Sequence, residues 1–205
     1  LVAKIANDYG KKPFWLQCAQ LPTGYSVVNV TAVPEGFYNT LTGKSSTRDT
    51  FNVYLRNSNS PFAIVDSSKA IIDSVTLRGS FVMLNAPSGN YYIVIKHRNG
   101  LETWSKTNGF TLTRGSVMSY DFTVSDSQAY GNNLKQTGTK FCIYSGDVDG
   151  DGVIDSDDLS IIENDAYNFA GGYVASDLTG DGIVDAGDMA IADNNAFNFV
   201  QVIRP

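Results

Sequence analysis

The sequence predicts a mainly β chain that ends in a small module of two loop-and-helix repeats. Short segments of alternating apolar residues fill the middle of the chain, and two acidic, glycine-containing loops follow them. The length of 205 residues suits one medium-sized domain and one small domain. The predicted divisions are an N-terminal strand segment (1–24), a β-sandwich (25–124), a linker (125–140) and a loop-and-helix domain (141–205).

Seven strand-like segments predict the sandwich. Their apolar residues alternate, as on a strand with one buried face, and Gly, Pro and Asn separate them. Seven strands in about one hundred residues are typical of an immunoglobulin-like sandwich. The predicted strands span residues 26–33, 50–57, 61–66, 74–84, 90–98, 109–113 and 117–124.

One stretch of this region has a family resemblance. Residues 80–99, SFVMLNAPSGNYYIVIKHRN, are similar to a hairpin of transthyretin-like, carboxypeptidase-regulatory-like and Cna-B-like domains. In those families a strand that ends in a Pro–Gly turn leads into a Tyr-rich strand. The resemblance implies a sandwich fold and assigns no activity.

The two acidic loops, residues 147–158 (DVDGDGVIDSDD) and 177–188 (DLTGDGIVDAGD), share one internal spacing. Calcium takes six to eight oxygen ligands, and a twelve-residue loop supplies them from positions 1, 3, 5, 7, 9 and 12. Gly152 and Gly182 fall at position 6, where the chain must turn sharply. We therefore predict two Ca²⁺ sites, position 7 contributing its carbonyl, with the ligands Asp147, Asp149, Asp151, Val153, Asp155 and Asp158, and Asp177, Thr179, Asp181, Ile183, Asp185 and Asp188.

The repeat argues against the alternative, which is a pair of acidic surface loops that hold no ion. Residues 147–169 match 177–199 at eleven of twenty-three positions. Ile154 and Val184 are expected to pack beneath their loops. Thr179 replaces a carboxylate with a neutral hydroxyl, so we expect the second site to bind calcium more weakly.

A short amphipathic helix is predicted after each loop. The apolar residues recur at i, i+3 and i+7, and the two units are expected to pack face to face. These residues are Leu159, Ile162 and Ala166 in the first unit, and Met189, Ala192 and Ala196 in the second.

An Asp at position 12, one following helix and a preceding strand-like segment (KFCIYSG) together resemble the dockerin module of secreted polysaccharide-degrading systems. In dockerins, positions 10 and 11 and the following helix contact a cohesin domain. The resemblance therefore implies a protein partner, with a cohesin-like domain as one candidate. Here those positions hold Ser156 and Asp157 in one repeat and Ala186 and Gly187 in the other, so the two faces differ chemically.

Charge divides the chain sharply. Residues 1–140 carry fourteen Lys or Arg against eight Asp or Glu, and residues 141–205 carry one Arg against thirteen. This asymmetry follows from the calcium ligands alone, or it indicates a basic and an acidic module that attract each other, within one chain or between chains. The basic residues form no stripe with interleaved aromatics, so nucleic acid is not expected as a partner.

The acidic loops and the hydropathy of the sequence indicate where the protein is located. No run of eighteen apolar residues is present, so we expect no membrane span. Loops of this kind suit the millimolar calcium outside cells, so we expect a secreted or cell-surface protein. Cys18 and Cys142 either form one disulfide or are two separate buried thiols, and the sequence leaves both open.

No catalytic constellation is evident, so we expect a protein that is not an enzyme. The one histidine, His97, lies beside Lys96 and Arg98 in a predicted strand, and we expect it to be exposed or half-buried with no positioned partner. Four aromatic residues of the predicted sandwich have two interpretations. They form an exposed platform on which a glycan stacks or, as the alternating pattern favours, they belong to the sandwich core. These residues are Tyr54, Tyr91, Tyr92 and Trp104.

Three functional hypotheses follow. The first is a calcium-stabilised assembly protein that docks a partner or further copies of itself, including filament growth by addition of its N-terminal strand to a sheet edge. The second is the dockerin-bearing C-terminal fragment of a longer secreted enzyme. The third is a carbohydrate-binding module with a dockerin tail.

Overall fold

The computed structural model describes residues 24–205 and, in the N-terminal segment, the backbone of Lys4–Ile5 and Phe14–Trp15. These two short strands pair with each other in antiparallel register. Cys18 lies outside the described residues, so the choice between a disulfide with Cys142 and two separate thiols stays open. Strand addition by the N-terminal segment also falls on a part of the chain that lies mostly outside the described residues. Cys142 itself is buried, and burial raises the pKa of its thiol to about 12.

Strands outnumber helices in the described chain. The strands are β1 (Lys4–Ile5), β2 (Phe14–Trp15), β3 (Ser26–Thr31), β4 (Tyr38–Asn39), β5 (Lys44–Ser45), β6 (Asp49–Asn57), β7 (Ile64–Ile72), β8 (Arg78–Met83), β9 (Gly89–Lys96), β10 (Thr103–Trp104), β11 (Phe110–Leu112), β12 (Val117–Asp121), β13 (Lys135–Thr137) and β14 (Lys140–Cys142). The helices are α1 (Ser156–Tyr167) and α2 (Ala186–Phe197), with short 3-10 turns at Glu35–Phe37, Asp126–Gln128 and Tyr130–Asn132.

Two sheets form the body of the molecule. The larger has the order β10-β9-β6-β7, with β11 also paired to β9, and the smaller has the order β12-β3-β8. Strand β6 is antiparallel to both of its neighbours, whereas β12 lies parallel to β3. The prediction of a mainly β chain with two short helices is confirmed. The immunoglobulin-like and transthyretin-like topologies stay predictions.

One apolar core lies between the sheets. Val28 of β3 and Phe81 of β8 cluster with Val53 of β6 and Ile93 of β9, and all four side chains are fully buried. Buried residues occupy every second position of β3, and they do the same in β6 from Asp49 to Leu55. Such alternation is expected of a strand that packs one face on a core. The alternation in the sequence therefore marks the core side of both sheets.

The predicted strand 61–66 is wrong in its bounds, because β7 runs Ile64–Ile72. β7 is the last strand of its sheet, and its side chains alternate between exposed and partly or fully buried positions. Ser67 and Lys69 therefore lie on a sheet edge, where polar residues are common. Because of these polar residues, the segment resembles a loop in the sequence.

The predicted strand 74–84 is also too long, because β8 begins at Arg78. Asp73 Oδ1 accepts hydrogen bonds from the amides of Val75 and Thr76 at 3.1 and 2.8 Å. An Asx-type turn of this kind competes with strand pairing, so the chain turns before β8 starts.

Residues 125–140, predicted as a linker, are packed structure. They include two 3-10 turns and strand β13, which pairs with β14. Ala129 and Leu134 are buried in the sandwich core. Packed chain therefore connects the sandwich to the loop-and-helix module.

The two helices follow the acidic loops and pack on each other. Ile162 of α1 and Ala192 of α2 are fully buried in a second apolar cluster with Leu178. Each helix begins with an Asp cap, because Asp155 and Asp185 accept a hydrogen bond from the amide two residues further on. Among the described residues, no helix is long and apolar enough to cross a membrane.

Candidate metal-binding loops and their surroundings

Each acidic loop turns at two glycines in the left-handed region of the backbone. Gly150 and Gly152 have φ values of 80° and 94°, and Gly180 and Gly182 have φ values of 70° and 87°. Side chains with a Cβ rarely adopt this conformation. The sharp turn predicted at position 6 is thus present in both loops.

The last aspartate of each loop ties the start of the loop to the helix that follows. Asp158 Oδ1 accepts hydrogen bonds from the Val148 and Asp149 amides at 2.7 and 3.1 Å, and Oδ2 accepts from the Asp155 amide at 3.1 Å. Asp188 accepts from the three matching amides of the second loop at 2.7, 2.9 and 2.8 Å. Both carboxylates therefore close their loops in the same way.

The carboxylates of the first loop fit a hard cation. One ligand oxygen from each of Asp147, Asp149 and Asp151 lies within 4.8 Å of the other two. Two oxygens bound to one calcium ion at 2.3–2.6 Å are no more than about 5 Å apart. These three atoms can therefore share one ion, and Asp147 lies at the buried end of the group.

Electrostatics in the first loop favour a bound cation. Burial, together with the neighbouring carboxylates of Asp158 and Asp151, raises the pKa of Asp147 to about 6. Burial also raises the pKa of Asp158, and the charge of Asp149 adds to this shift. A cation among these groups would offset both the lost hydration and the repulsion between like charges.

The second loop repeats this backbone pattern with a different ligand set. Asp177 accepts hydrogen bonds from the Gly180 and Gly182 amides at 2.8 and 3.2 Å, and Asp181 accepts from the Ile183 amide at 2.9 Å. Where the first loop has Asp149, the Thr179 hydroxyl lies 3.4 Å from Asp177 Oδ1. Among the described residues, the structure brings together the carboxylates of Asp147, Asp149 and Asp151, and no matching group of three carboxylates forms in the second loop, where Thr179 replaces one of them. The other predicted ligands stay predictions.

The sandwich contacts three successive residues of the second loop. Asn99 Nδ2 donates to the Asp177 carbonyl at 2.8 Å, and Ser46 Oγ donates to the Thr179 carbonyl at 2.7 Å. Between them, a Cβ added at Gly36 would overlap the Leu178 carbonyl oxygen. The second loop therefore lies directly on the sandwich surface.

The first loop has other neighbours. The Val202 amide donates to the Gly152 carbonyl at 2.8 Å, and Ile154 packs with Leu101 and Val200. Ile154 and Val184 are both buried, as expected for the residue beneath each loop. The C-terminal tail and Leu101 of the sandwich thus hold the first loop, whereas Ser46 and Asn99 of the sandwich hold the second.

Helix α2 meets the sandwich through a buried polar cluster. Asn195 Nδ2 donates to Glu35 Oε1 and to the Ser145 carbonyl, each at 2.8 Å. Burial raises the pKa of Glu35 to about 7, against the opposing effect of the hydrogen bond from Asn195. Sequence reasoning missed this residue, because its partner lies 160 positions away.

The prediction that His97 is exposed or half-buried without a positioned partner is wrong. Its side chain is fully buried, Nε2 lies 3.0 Å from Asp49 Oδ2, and Nδ1 lies 2.9 Å from Asn99 Oδ1. The ring also packs against Phe51, with 4.5 Å between ring centroids. His97 therefore positions Asn99, whose side chain donates a hydrogen bond to the second loop. The burial of the His97 ring leaves it inaccessible to a substrate.

Four aromatic side chains project from the ends of the two helices. Tyr167 and Phe169 are 83% and 92% exposed, and their counterparts Phe197 and Phe199 are 81% and 86% exposed. Phe169 and Phe199 also have positive φ values of 54° and 55°. Sequence reasoning recorded both phenylalanines as part of the repeat and missed their exposure, although identical apolar residues off the helical stripe are a signal for it.

The aromatics considered as a glycan platform are mostly buried. Tyr91, Tyr92 and Trp104 have exposures of 4%, 6% and 3%, and Trp104 Nε1 donates to Glu102 at 2.7 Å. Tyr54 packs against the cluster that contains Tyr92 and Trp104. Tyr91 belongs to the core between the sheets, and Tyr54, Tyr92 and Trp104 belong to a separate buried cluster. Because they are not exposed together, the platform interpretation is wrong.

No protein-family model and no curated protein matches this sequence. Two chains from crystal structures of type II cohesin-X-dockerin complexes of Acetivibrio cellulolyticus are similar to it in structure. One, from a C-terminal interface mutant, aligns with a TM-score of 0.47 and 16% identity over 83% of this chain and 94% of that chain. The other, from an N-terminal interface mutant, aligns with a TM-score of 0.41 and 16% identity over the same shares. At this similarity, neither alignment assigns a fold or a partner to this chain.

Proposed function

We propose that this chain is a non-catalytic extracellular binding protein whose C-terminal module is ordered by two calcium ions and docks a protein partner. The observation that carries the proposal is a repeat with two parts. Each unit joins an acidic loop of calcium-ligand spacing to a pair of exposed aromatic side chains at the end of its helix.

The twelve loop positions predicted as ligands would hold the two ions. In each loop, carboxylate or hydroxyl oxygens would come from positions 1, 3, 5, 9 and 12, and the carbonyl of Val153 or Ile183 would come from position 7. Calcium would supply positive charge among crowded carboxylates and would link each loop to its helix, so that metal binding is coupled to folding. The donor set of hard oxygens in the first loop supports this assignment.

The exposed aromatic pairs support docking of a protein. Aromatic side chains are frequent anchors of protein interfaces, and exposed aromatics of this size are unfavourable without a partner. A largely apolar groove of about 500 Å³ lies beside one pair, and Ile154, Leu159, Ala196, Phe197 and Phe199 line it together with polar residues such as Ser156 and Asp193. The module therefore offers both projecting anchors and a groove.

Charge indicates what the partner surface is like. The C-terminal segment, residues 141–205, carries thirteen acidic residues and one Arg, a formal charge of −12, and two calcium ions would bring it to −8. A surface with apolar sockets and a basic rim would complement it. Since the loops resemble those of dockerins, cohesin domains are the first probes to use, and the basic sandwich of a second copy is the next.

The test is binding measured by biolayer interferometry against a panel of cohesin domains and against the chain itself, in calcium and in EDTA. We expect calcium-dependent binding that Phe199→Ser or Phe169→Ser weakens at least tenfold, on the order expected for loss of an interface anchor. Leu41→Ser is the control, because Leu41 is 94% exposed and lies on the sandwich.

Three results would count against the docking proposal. One is binding that is equally strong in EDTA, and another is binding that Leu41→Ser weakens as much as the phenylalanine variants do. The third is an absence of binding to every probe, including the second copy. Calcium-dependent binding lost only in the phenylalanine variants supports it.

A further inference from the structure

Arg98 is a basic residue of the sandwich that lies beside the second acidic loop. Its Nη2 is 3.7 Å from Asp177 Oδ2, and the two side chains are 13% and 3% exposed. Its Nε donates to Asp49 Oδ2 at 3.0 Å, and the Tyr173 hydroxyl donates to Asp49 Oδ1 at 2.7 Å. Arg98 is therefore fixed against the loop.

Aromatic rings hold the guanidinium group from both modules. Its central carbon lies 4.7 Å from the ring centroid of Tyr173 and 5.5 Å from that of Phe37. Rings around a cation displace water, so the charge of Arg98 is screened less than that of an exposed side chain. Asp177 thus faces a fixed positive charge.

The first loop has basic neighbours that are more exposed than Arg98. The charge of Lys96 acts on Asp147, but Lys96 is 38% exposed and Arg204 is 53% exposed, so solvent screens both charges more strongly. Among the ion pairs of the described residues, Arg98 with Asp177 is the one that includes a loop carboxylate. The basic residues nearer the first loop, Lys96 and Arg204, instead pair with Glu102 at 3.3 and 3.1 Å. The two loops therefore differ in their surroundings as well as in their ligands.

We propose that Arg98 is a built-in counter-cation of the second loop and that it lowers the calcium affinity of this loop below that of the first. This inference rests on the proposed calcium binding by both loops. A fixed positive charge beside the first ligand repels an incoming divalent cation. It also supplies part of the charge compensation that calcium would supply, so the ion adds less stabilisation.

The consequence is that the sandwich sets the order in which the two loops bind calcium. The first loop fills at lower calcium, while Asp177 and Thr179 of the second loop stay bonded to Asn99 and Ser46 of the sandwich. Arg98 is thus a positioning residue, which acts on the ion through Asp177.

The ligand difference at Thr179 must be removed before Arg98 can be tested. Thr179→Asp gives both loops Asp at positions 1, 3, 5, 9 and 12. The Gly152 and Gly182 amides then report on each loop separately, because they donate to the position-1 carboxylates at 3.3 and 3.2 Å. The measurement is a calcium titration of the full chain followed by the NMR shifts of these two amides.

In T179D we expect the Gly182 signal to reach half-saturation at about tenfold higher calcium than the Gly152 signal. Adding Arg98→Met, which keeps the apolar stem and removes the charge, should bring the two midpoints to within about threefold. Adding Arg98→Lys should keep them apart, because the charge remains. Lys69→Met is the control, because Lys69 is exposed on strand β7, and it should leave the ratio unchanged.

Equal midpoints in T179D, or a ratio that Arg98→Met does not change, would overturn the role of Arg98. The first of these outcomes needs no substitution at Arg98, so the test stands even if Arg98→Met fails to fold. If neither glycine amide responds to calcium in the unsubstituted chain, the proposed calcium binding fails instead. The two failures are therefore distinguishable.

Discussion

Phe169 and Phe199 hold a backbone conformation that usually belongs to glycine. For a side chain with a Cβ, the left-handed region costs about 1–2 kcal/mol. Both side chains are almost fully exposed, so packing within the chain does not offset this cost. The conformation closes the end of each helix, because the Phe169 amide donates to the Ala166 carbonyl at 3.1 Å and the Phe199 amide donates to the Ala196 carbonyl at 2.9 Å. Glycine is the usual residue at this position, so a phenylalanine there in both repeats has a backbone cost that a role in an interface would explain.

Phe199→Gly should therefore stabilise the module while it weakens partner binding. Relief of the backbone strain exceeds the extra entropy that glycine loses on folding, so we expect a gain of about 0.5–1 kcal/mol in the free energy of unfolding. The measurement is urea denaturation in saturating calcium.

Phe197→Gly is the matched control, because Phe197 is about equally exposed but is the last residue of helix α2, where its φ is not positive. Glycine in a helix should destabilise the module by about 0.5–1 kcal/mol. If the two glycine variants change stability in the same direction, the strain argument is wrong.

Glu35 is the residue whose burial predicts a pH dependence. Its pKa is raised from 4.5 to about 7 in the folded chain. The unfolded chain therefore loses this proton first, and stability contributed by the neutral carboxyl is lost as pH rises from about 4.5 to about 7.

Glu35→Gln should remove this dependence, because the amide keeps an oxygen for Asn195 and carries no charge. Relative to the unsubstituted chain, its advantage in unfolding free energy should grow by about 1–2 kcal/mol between pH 5 and pH 8. Urea denaturation at both pH values and constant calcium measures the difference. A constant or shrinking difference would show that Glu35 is ionised without cost.

At the scale of elements, the repeat was the most informative part of the sequence. Loop spacing and the stripe through Ile162 and Ala192 located both helices, because these features are local. Strand β7 was misplaced, since Ser67 and Lys69 on a sheet edge need no apolar pattern. His97 was misjudged because its partner, Asp49, lies far away in sequence and comes close only through β6–β9 pairing.

The contact between the sandwich and the second loop could not be read from the sequence for the same reason. Gly36, Ser46 and Asn99 come from separate turns, and only the fold places them along residues 177–179. Gly36 gives no local signal in the sequence, because its role is to leave space, in place of a Cβ, for the Leu178 carbonyl. The sequence could locate the two acidic loops and could not locate the surface on which one of them rests.

Gly36→Ala should separate the two modules. A Cβ there would overlap the Leu178 carbonyl and lie 2.9 Å from Ile191 Cδ1, so the second loop must move off the sandwich. We expect a loss of about 2–4 kcal/mol, in the range for overpacked or broken buried contacts. Calorimetry in calcium should resolve two transitions in the variant where the unsubstituted chain shows one. A single transition at an unchanged temperature would mean that the interface does not couple the modules.

The whole molecule joins a sandwich with its own apolar core to a small module with few fully buried apolar side chains. A module of this size usually needs a metal or a disulfide in addition to its core. Its carboxylates repel one another without a cation, whereas the sandwich depends on ordinary burial. Calcium should therefore control the order of one part of the chain and leave the other unchanged.

Hydrogen exchange followed by mass spectrometry, in calcium and in EDTA, tests this central claim most directly. Peptides from residues 147–199 should exchange at least about tenfold faster in EDTA, because metal binding and folding are coupled. Peptides from strands β3, β6 and β9 should exchange at the same rate in both conditions. Equal protection of residues 147–199 with and without calcium would contradict the account.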